Sequence, residues 1–182
     1  MKPIIKSIDQ LGYVVTDMEA AVEHWTTKCG VGPFFLIEHI SYRAFTYHGR
    51  PTEVDLSLAF SYVGSTQVEL ILQHNDAPSV YRDLITNAGS GLVHVAEFYD
   101  DFNDRIQDLP DNAIVQTSLS HDGVETIYLE GAPHRGSYVE FIKGPPAHKE
   151  RRRLMQQAAT HWDGTRPLRV IDPHDPLAAF TI

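Results

Sequence analysis

Residues 137–143 read S-Y-V-E-F-I-K and residues 66–72 read T-Q-V-E-L-I-L, so two strand-like apolar runs each carry one carboxylate, Glu140 and Glu69, at the same place. Taking a carboxylate out of water without a partner costs several kcal/mol or more, so a Glu between Val139 and Phe141 must meet a cation, take up a proton or turn to solvent. The occurrence of the same problem twice marks the two runs as copies. The correspondence continues upstream. I-D-Q-L-G-Y-V-V-T-D-M-E-A-A-V from residue 8 lies over L-V-H-V-A-E-F-Y-D-D-F-N-D-R-I from residue 92, which sets Gln10 on His94, Asp17 on Asp101, Met18 on Phe102 and Val22 on Ile106. Each copy is a strand, an acidic helix start, a helix and then strands ending in the Glu strand. The chain therefore reads as two βαβββ modules, about 7–73 and 91–144, within one domain of residues 1–146, followed by a helix and tail over 147–182.

The local signals fill in this outline. Residues 8–15 alternate as a strand that places Gln10, Gly12 and Val14 on one face. T-D-M-E at 16–19 is a capping-box sequence for a helix to about residue 28, with Met18, Val22 and Trp25 as its buried stripe and Gly30 as its stop. Residues 31–47 read as short strands and loop, rich in aromatics (Phe34, Phe35, Tyr42, Phe45, Tyr47) divided between core and pocket, and residues 52–62 as a strand. Residues 73–91 join the modules through a helix starting near 76–79, with an apolar face of Val80, Leu84 and Ile85. In the second module Asp101 caps a helix through Leu109, strands at 113–119 and 125–129 flank the turn His121-Asp122-Gly123, and residues 131–136 loop into the Glu140 strand. Residues 150–160 suit a helix, and 163–182 an extended tail laid over the body or a neighbouring subunit.

Composition narrows the function. A net charge of −9 argues against nucleic acid as a partner, since that affinity comes mostly from neutralising phosphates. The basic cluster Arg151 to Arg153 reads as the solvated start of a helix, with a single anionic ligand as its alternative. Lone Cys29 excludes an internal disulfide framework and a cysteine zinc knuckle, and suits packing at a helix end. No run approaches the roughly 18 apolar residues of a membrane span, and M-K-P-I-I-K-S lacks the apolar core of a signal peptide; the expectation is a soluble, cytoplasmic protein.

The repeat singles out four positions. If the modules pack about a pseudo-twofold axis, Gln10, Glu69, His94 and Glu140 converge near it. Two carboxylates, an imidazole and an amide oxygen form a borderline-to-hard set suited to one divalent ion, with water or substrate completing the shell. Of the remaining histidines, His24, His148 and His161 are expected on the surface and His39, His48, His121 and His134 in loops bordering the pocket.

In I-D-Q, T-Q-V-E and G-L-V-H-V-A the sequence resembles the vicinal oxygen chelate superfamily, which includes glyoxalase I, methylmalonyl-CoA epimerase, extradiol dioxygenases and bleomycin-resistance proteins; the local likeness is closest to the epimerases. The resemblance implies an α+β fold whose paired βαβββ modules form a curved, barrel-like mixed sheet with flanking helices. It also implies a divalent metal on Gln10, Glu69, His94 and Glu140, a small-molecule substrate and a homodimer. The order Gln, Glu, His, Glu looks like the ligand set of glyoxalase I, where epimerases have His and Gln in the first two places. Thr52-Glu53-Val54 is similar to the epimerase V-E-I stretch, which implies Glu53 as a proton-transfer base beside Glu140. The implied activity is that of a metal-dependent lyase, isomerase or epimerase working through an enolate on a small organic or acyl-thioester substrate with a hydrophobic part. The alternatives are sequestration of an aromatic compound, as in bleomycin-resistance relatives, and, further off, extradiol ring cleavage, for which a second histidine is missing.

Overall fold

A computed structural model describes residues 4–107, 109–110, 113–130, 137–172 and 174–180. In chain order its elements are β1 (Gln10–Val14), α1 (Met18–Lys28), β2 (Phe34–Ile40), β3 (Tyr42–Tyr47), β4 (Arg50–Pro51), β5 (Leu56–Val63), β6 (Thr66–Gln73), α2 (Val80–Ala88), β7 (Gly91–Tyr99), α3 (Asn103–Ile106), β8 (Ile114–Ser120), β9 (Glu125–Leu129), β10 (Tyr138–Lys143), α4 (Pro146–Thr160) and β11 (Leu168–Val170). The eleven strands form one mixed sheet in the order β11-β2-β5-β6-β1-β7-β10-β9-β8-β3-β4.

The expected repeat is visible in the pairing. β1 runs parallel to β6 and β7 runs parallel to β10, while β1 and β7 lie antiparallel at the centre. The first and last strand of each module are thus neighbours, and the two pairs meet about an approximate twofold. β2 lies second from one end of the sheet and β3 second from the other, yet only Ser41 separates them. A link that short forces the two ends towards each other, so the sheet curls around a concave face without closing.

Three helices shape the rest of the core. α1 lays Met18 and Val22 against Phe34, Leu36, Val68 and Leu70. Phe102 and Phe141 anchor the equivalent cluster of the second module. α2 presses Val80 and Tyr81 against Val14, Ile71, Val93 and Tyr128, which come from both modules.

The structure differs from the sequence expectations in several places, each for a local reason. Asp17, not Thr16, caps α1: its extended backbone lets the carboxylate accept from Ala20 N at 2.9 Å. α3 is four residues long and lacks a side-chain cap. D-D-F-N-D-R-I offers only Phe102 and Ile106 as apolar anchors, enough for a single turn. β5 begins at Leu56 because Asn75 ties down the preceding segment, donating to the Glu53 carbonyl at 2.8 Å and accepting from Asp55 N at 3.2 Å. Residues 34–47 form two well-defined strands. Cys29 is exposed at the C-cap of α1 and packs no core. α4 starts at Pro146, earlier than expected, since proline suits the first helical turn; Arg151 to Arg153 consequently fall in mid-helix. The tail is only partly extended: Leu168–Val170 adds β11 in parallel to β2, and Ala178–Phe180 forms a 3-10 turn. The loop 131–136 lies outside the described residues.

Candidate metal centre

The concave face places Gln10, Glu69, His94 and Glu140 side by side on the four central strands, and all four are buried. Three oxygens surround one nitrogen. From His94 Nε2 the distances are 2.9 Å to Gln10 Oε1, 3.3 Å to Glu69 Oε2 and 3.0 Å to Glu140 Oε2. A single N–H cannot serve three acceptors, and Glu140 Oε2, though ion-paired with the ring, is buried without a well-aligned hydrogen bond. Ligand atoms around an octahedral ion with bonds of about 2.1 Å stand about 3 Å apart, so this spacing suits a divalent cation. The donor set, one nitrogen with carboxylate and amide oxygens, has the matching chemistry. In the protein alone the centre is held together by charge. Burial pushes the His94 imidazole down, but the Glu140 and Glu69 carboxylates more than offset this and hold it at about 10. Burial in turn pushes the Glu69 carboxyl up, against the pull of His94.

Neighbouring residues aim these groups. Gln10 Nε2 donates to Gln67 Oε1 at 2.8 Å, and Gln67 Nε2 donates to the Tyr62 hydroxyl at 3.1 Å, which turns the Gln10 carbonyl oxygen towards the centre. Tyr128 lies edge-on to His94, with its hydroxyl 3.4 Å from Nδ1 and 2.7 Å from the Tyr81 hydroxyl. Gly12 stands between Glu69 on β6 and His94 on β7. A Cβ on Gly12 would come within 2.0 Å of His94 Cε1, so the imidazole occupies the space that the missing side chain leaves. The sequence placed Gly12 beside Gln10 without indicating this contact. Gln67, Tyr81 and Tyr128 carried no signal, because their role depends on cross-strand neighbours.

The centre forms the floor of a cavity of about 440 Å³. Its walls include Ile37, Leu58, Phe60 and Ile142, and α4 crosses its mouth with His148, Arg151, Arg152 and Met155. Of the histidines expected at the pocket, His39 and His121 border it, His48 does not, and His134 is outside the described residues. His148, expected on the surface, lines the cavity instead. Tyr42 reaches the cavity, whereas Phe34, Phe35 and Phe45 belong to the core. Glu53 is not brought to the centre: it is exposed in the connection before β5, and its side chain is absent from the cavity wall. A separate, more exposed group, His39, Asp55 and His74, lies around the β2 bulge, with His39 Nδ1 2.8 Å from Asp55 Oδ1.

Residues 9–126 match the model of the glyoxalase/bleomycin resistance protein/dioxygenase superfamily, and the chain belongs to that family. Two solved structures are among those that share the fold. A hypothetical protein from Bacillus halodurans is 18% identical, with 76% of this chain and 94% of that one covered and a TM-score of 0.53. Methylmalonyl-CoA epimerase from Mycobacterium tuberculosis is 14% identical, with 82% and 95% covered and a TM-score of 0.54. No curated protein matches the sequence. Among the described residues no helix is long and apolar enough to cross a membrane.

Proposed function

We propose that this protein is a metal-dependent isomerase or epimerase that moves a proton next to a carbonyl group of a small organic molecule. The observation that carries the reading is the convergence of Gln10, Glu69 and Glu140 oxygens on His94 Nε2, more acceptors than one N–H can serve, with Glu140 Oε2 buried without a well-aligned hydrogen bond. The fold shared with an epimerase supports the same class. Gln10, Glu69, His94 and Glu140 are the residues that would hold the ion. A divalent ion bound there supplies Lewis acidity to a carbonyl oxygen, lowering the cost of negative charge on it by several kcal/mol. Glu140 accepts the proton from the carbon beside the carbonyl and returns it, to a neighbouring atom for isomerisation or, once the planar intermediate has turned its other face to the carboxylate, to the same carbon for epimerisation. Tyr128 and Gln67 hold His94 and Gln10 in register throughout. The apolar walls and α4 keep water from the exposed carbanion equivalent. Glu53 has no part in this scheme, because its side chain does not border the cavity.

The reading is tested by following the exchange of α-hydrogen for deuterium in carbonyl compounds incubated in heavy water with the manganese-loaded protein. Exchange that requires both the metal and Glu140 supports it; tight binding of the same compounds with no exchange replaces it with sequestration. The largely apolar cavity wall is what gives that second reading its footing.

A further inference from the structure

We infer that α4 provides the cavity with a binding site for an organic anion, centred on Arg152, and that the substrate is a small molecule with an apolar body and a carboxylate remote from its reacting carbonyl. This rests on the proposed proton transfer for the role of the carbonyl, but the anion site stands on its own geometry. His148, Arg151, Arg152 and Met155 follow the spacing i, i+3, i+4, i+7, so one face of α4 looks into the cavity. All four lie beyond residues 9–126, the part that matches the family model. The site is therefore particular to this chain's C-terminal segment.

The two arginines differ in what they already hold. Arg151 is matched to Asp122 at 2.8 Å, and that pair is electrically complete. Arg152 has no carboxylate partner among the described ion pairs. Its guanidinium carbon lies 3.6 Å from the centre of the Phe98 ring, a stacked position that fixes the plane of the fork. Its Nε is buried without a hydrogen-bond partner. Of the nearby carboxylates, Asp9, which accepts from Phe98 N at 2.9 Å, and Asp100, which pairs with Lys149, act on Arg152 through charge and form no ion pair with it. Tyr62 neighbours Arg152, whose positive charge opposes the rise that burial imposes on the Tyr62 hydroxyl. His148 adds no charge, since burial, with Arg152 and Arg151 beside it, pushes its imidazole down to about 3; its Nδ1 also lacks a partner.

A half-buried guanidinium whose Nε lacks a hydrogen-bond partner is costly unless an anion meets it, and a carboxylate matches a guanidinium in a planar, two-point contact. The cavity lined by this cation and by Gln10, Glu69 and Glu140 is also lined by Ile37, Leu58, Phe60 and Ile142, which suit an apolar body. Tyr62 stands at both ends, beside Arg152 on one side and accepting from Gln67, the partner of Gln10, on the other.

The experiment is calorimetric titration of the manganese-loaded protein with 7-oxooctanoate and with its methyl ester, which removes only the charge. The wild type is expected to bind the acid about 10-fold more tightly than the ester, a difference of about 1.4 kcal/mol. Arg152→Met, which keeps an apolar stem on Phe98, brings the two affinities to within about twofold, and Arg152→Lys retains an intermediate preference. Circular dichroism confirms folding, and if Arg152→Met is unfolded the Arg152→Lys preference decides alone. Equal affinities in the wild type, an undiminished preference in the folded variants, or binding of neither compound overturns the inference. Glu140→Gln separates this result from the metal reading: it removes manganese binding and leaves the acid-over-ester preference. A wild type that prefers the acid but binds no manganese refutes the metal reading and leaves the anion site standing.

Discussion

The floor and the roof of the cavity are positioned by different means. Gln10, Glu69, His94 and Glu140 project from β1, β6, β7 and β10, adjacent strands whose main-chain ladders fix them relative to one another. The roof is a single helix held by side chains: Met155, with Phe35, Tyr62, Ile171 and Ala179, forms the cluster that seats α4 on the sheet, and the three-residue β11 ties the tail to β2. A site held by backbone pairing resists drift in position but tolerates no change of residue. A roof held by packing can change its chemistry without disturbing the floor. On the proposed reading, the metal chemistry belongs to the first and the choice of substrate to the second.

That contrast can be broken from either side. His94→Ala has the largest expected effect. It removes the imidazole from between two buried carboxylates, so we expect a loss of about 3–5 kcal/mol in urea unfolding of the metal-free protein, together with loss of metal binding. Met155→Ala comes next, at about 2–4 kcal/mol for a methionine that is 2% exposed, and the metal affinity should remain that of the wild type. If Met155→Ala alters metal affinity as much as stability, floor and roof are not separable.

Gly12→Ala sharpens the comparison by attacking the floor without replacing a ligand residue. Its Cβ must displace His94 or spread β1 from β7, for about 1–3 kcal/mol in thermal unfolding. Metal affinity should fall with it; an unchanged affinity would mean that the ring has room the structure does not show. The smallest effect is expected from Gln67→Ala. Freeing the Gln10 amide costs about 1 kcal/mol in stability and about 10-fold in metal affinity, measured by competition with a chelator.

The floor was legible in the sequence and the roof was not. A carboxylate in an apolar run is conspicuous, and the offset between the two modules carried Glu140 onto Glu69 and His94 onto Gln10. Parallel pairing of the first and last strand in each module then brings those positions together, so a repeat in sequence became a cluster in space. Gly12, Tyr128 and Gln67 escaped because they matter through strands distant in sequence. α3 shrank to one turn because a capping signal cannot extend a helix that lacks an apolar stripe. Arg151 and Arg152 looked solvated because three arginines in a row give no sign of which face meets a cleft. Glu53 is the reverse case: its neighbours resemble a catalytic stretch, while Asn75 ties down that segment and the Glu53 side chain is exposed and does not line the cavity.

The central claim is tested most directly by titrating chelator-treated protein with manganese, in the wild type, Glu140→Gln and His74→Ala. The last variant controls for the exposed group of His39, Asp55 and His74, which also brings metal-binding side chains together. The account predicts one tightly bound ion per chain in the wild type and in His74→Ala, and its loss in Glu140→Gln. Binding that survives Glu140→Gln and disappears in His74→Ala, or no tight binding in any of the three, would contradict it.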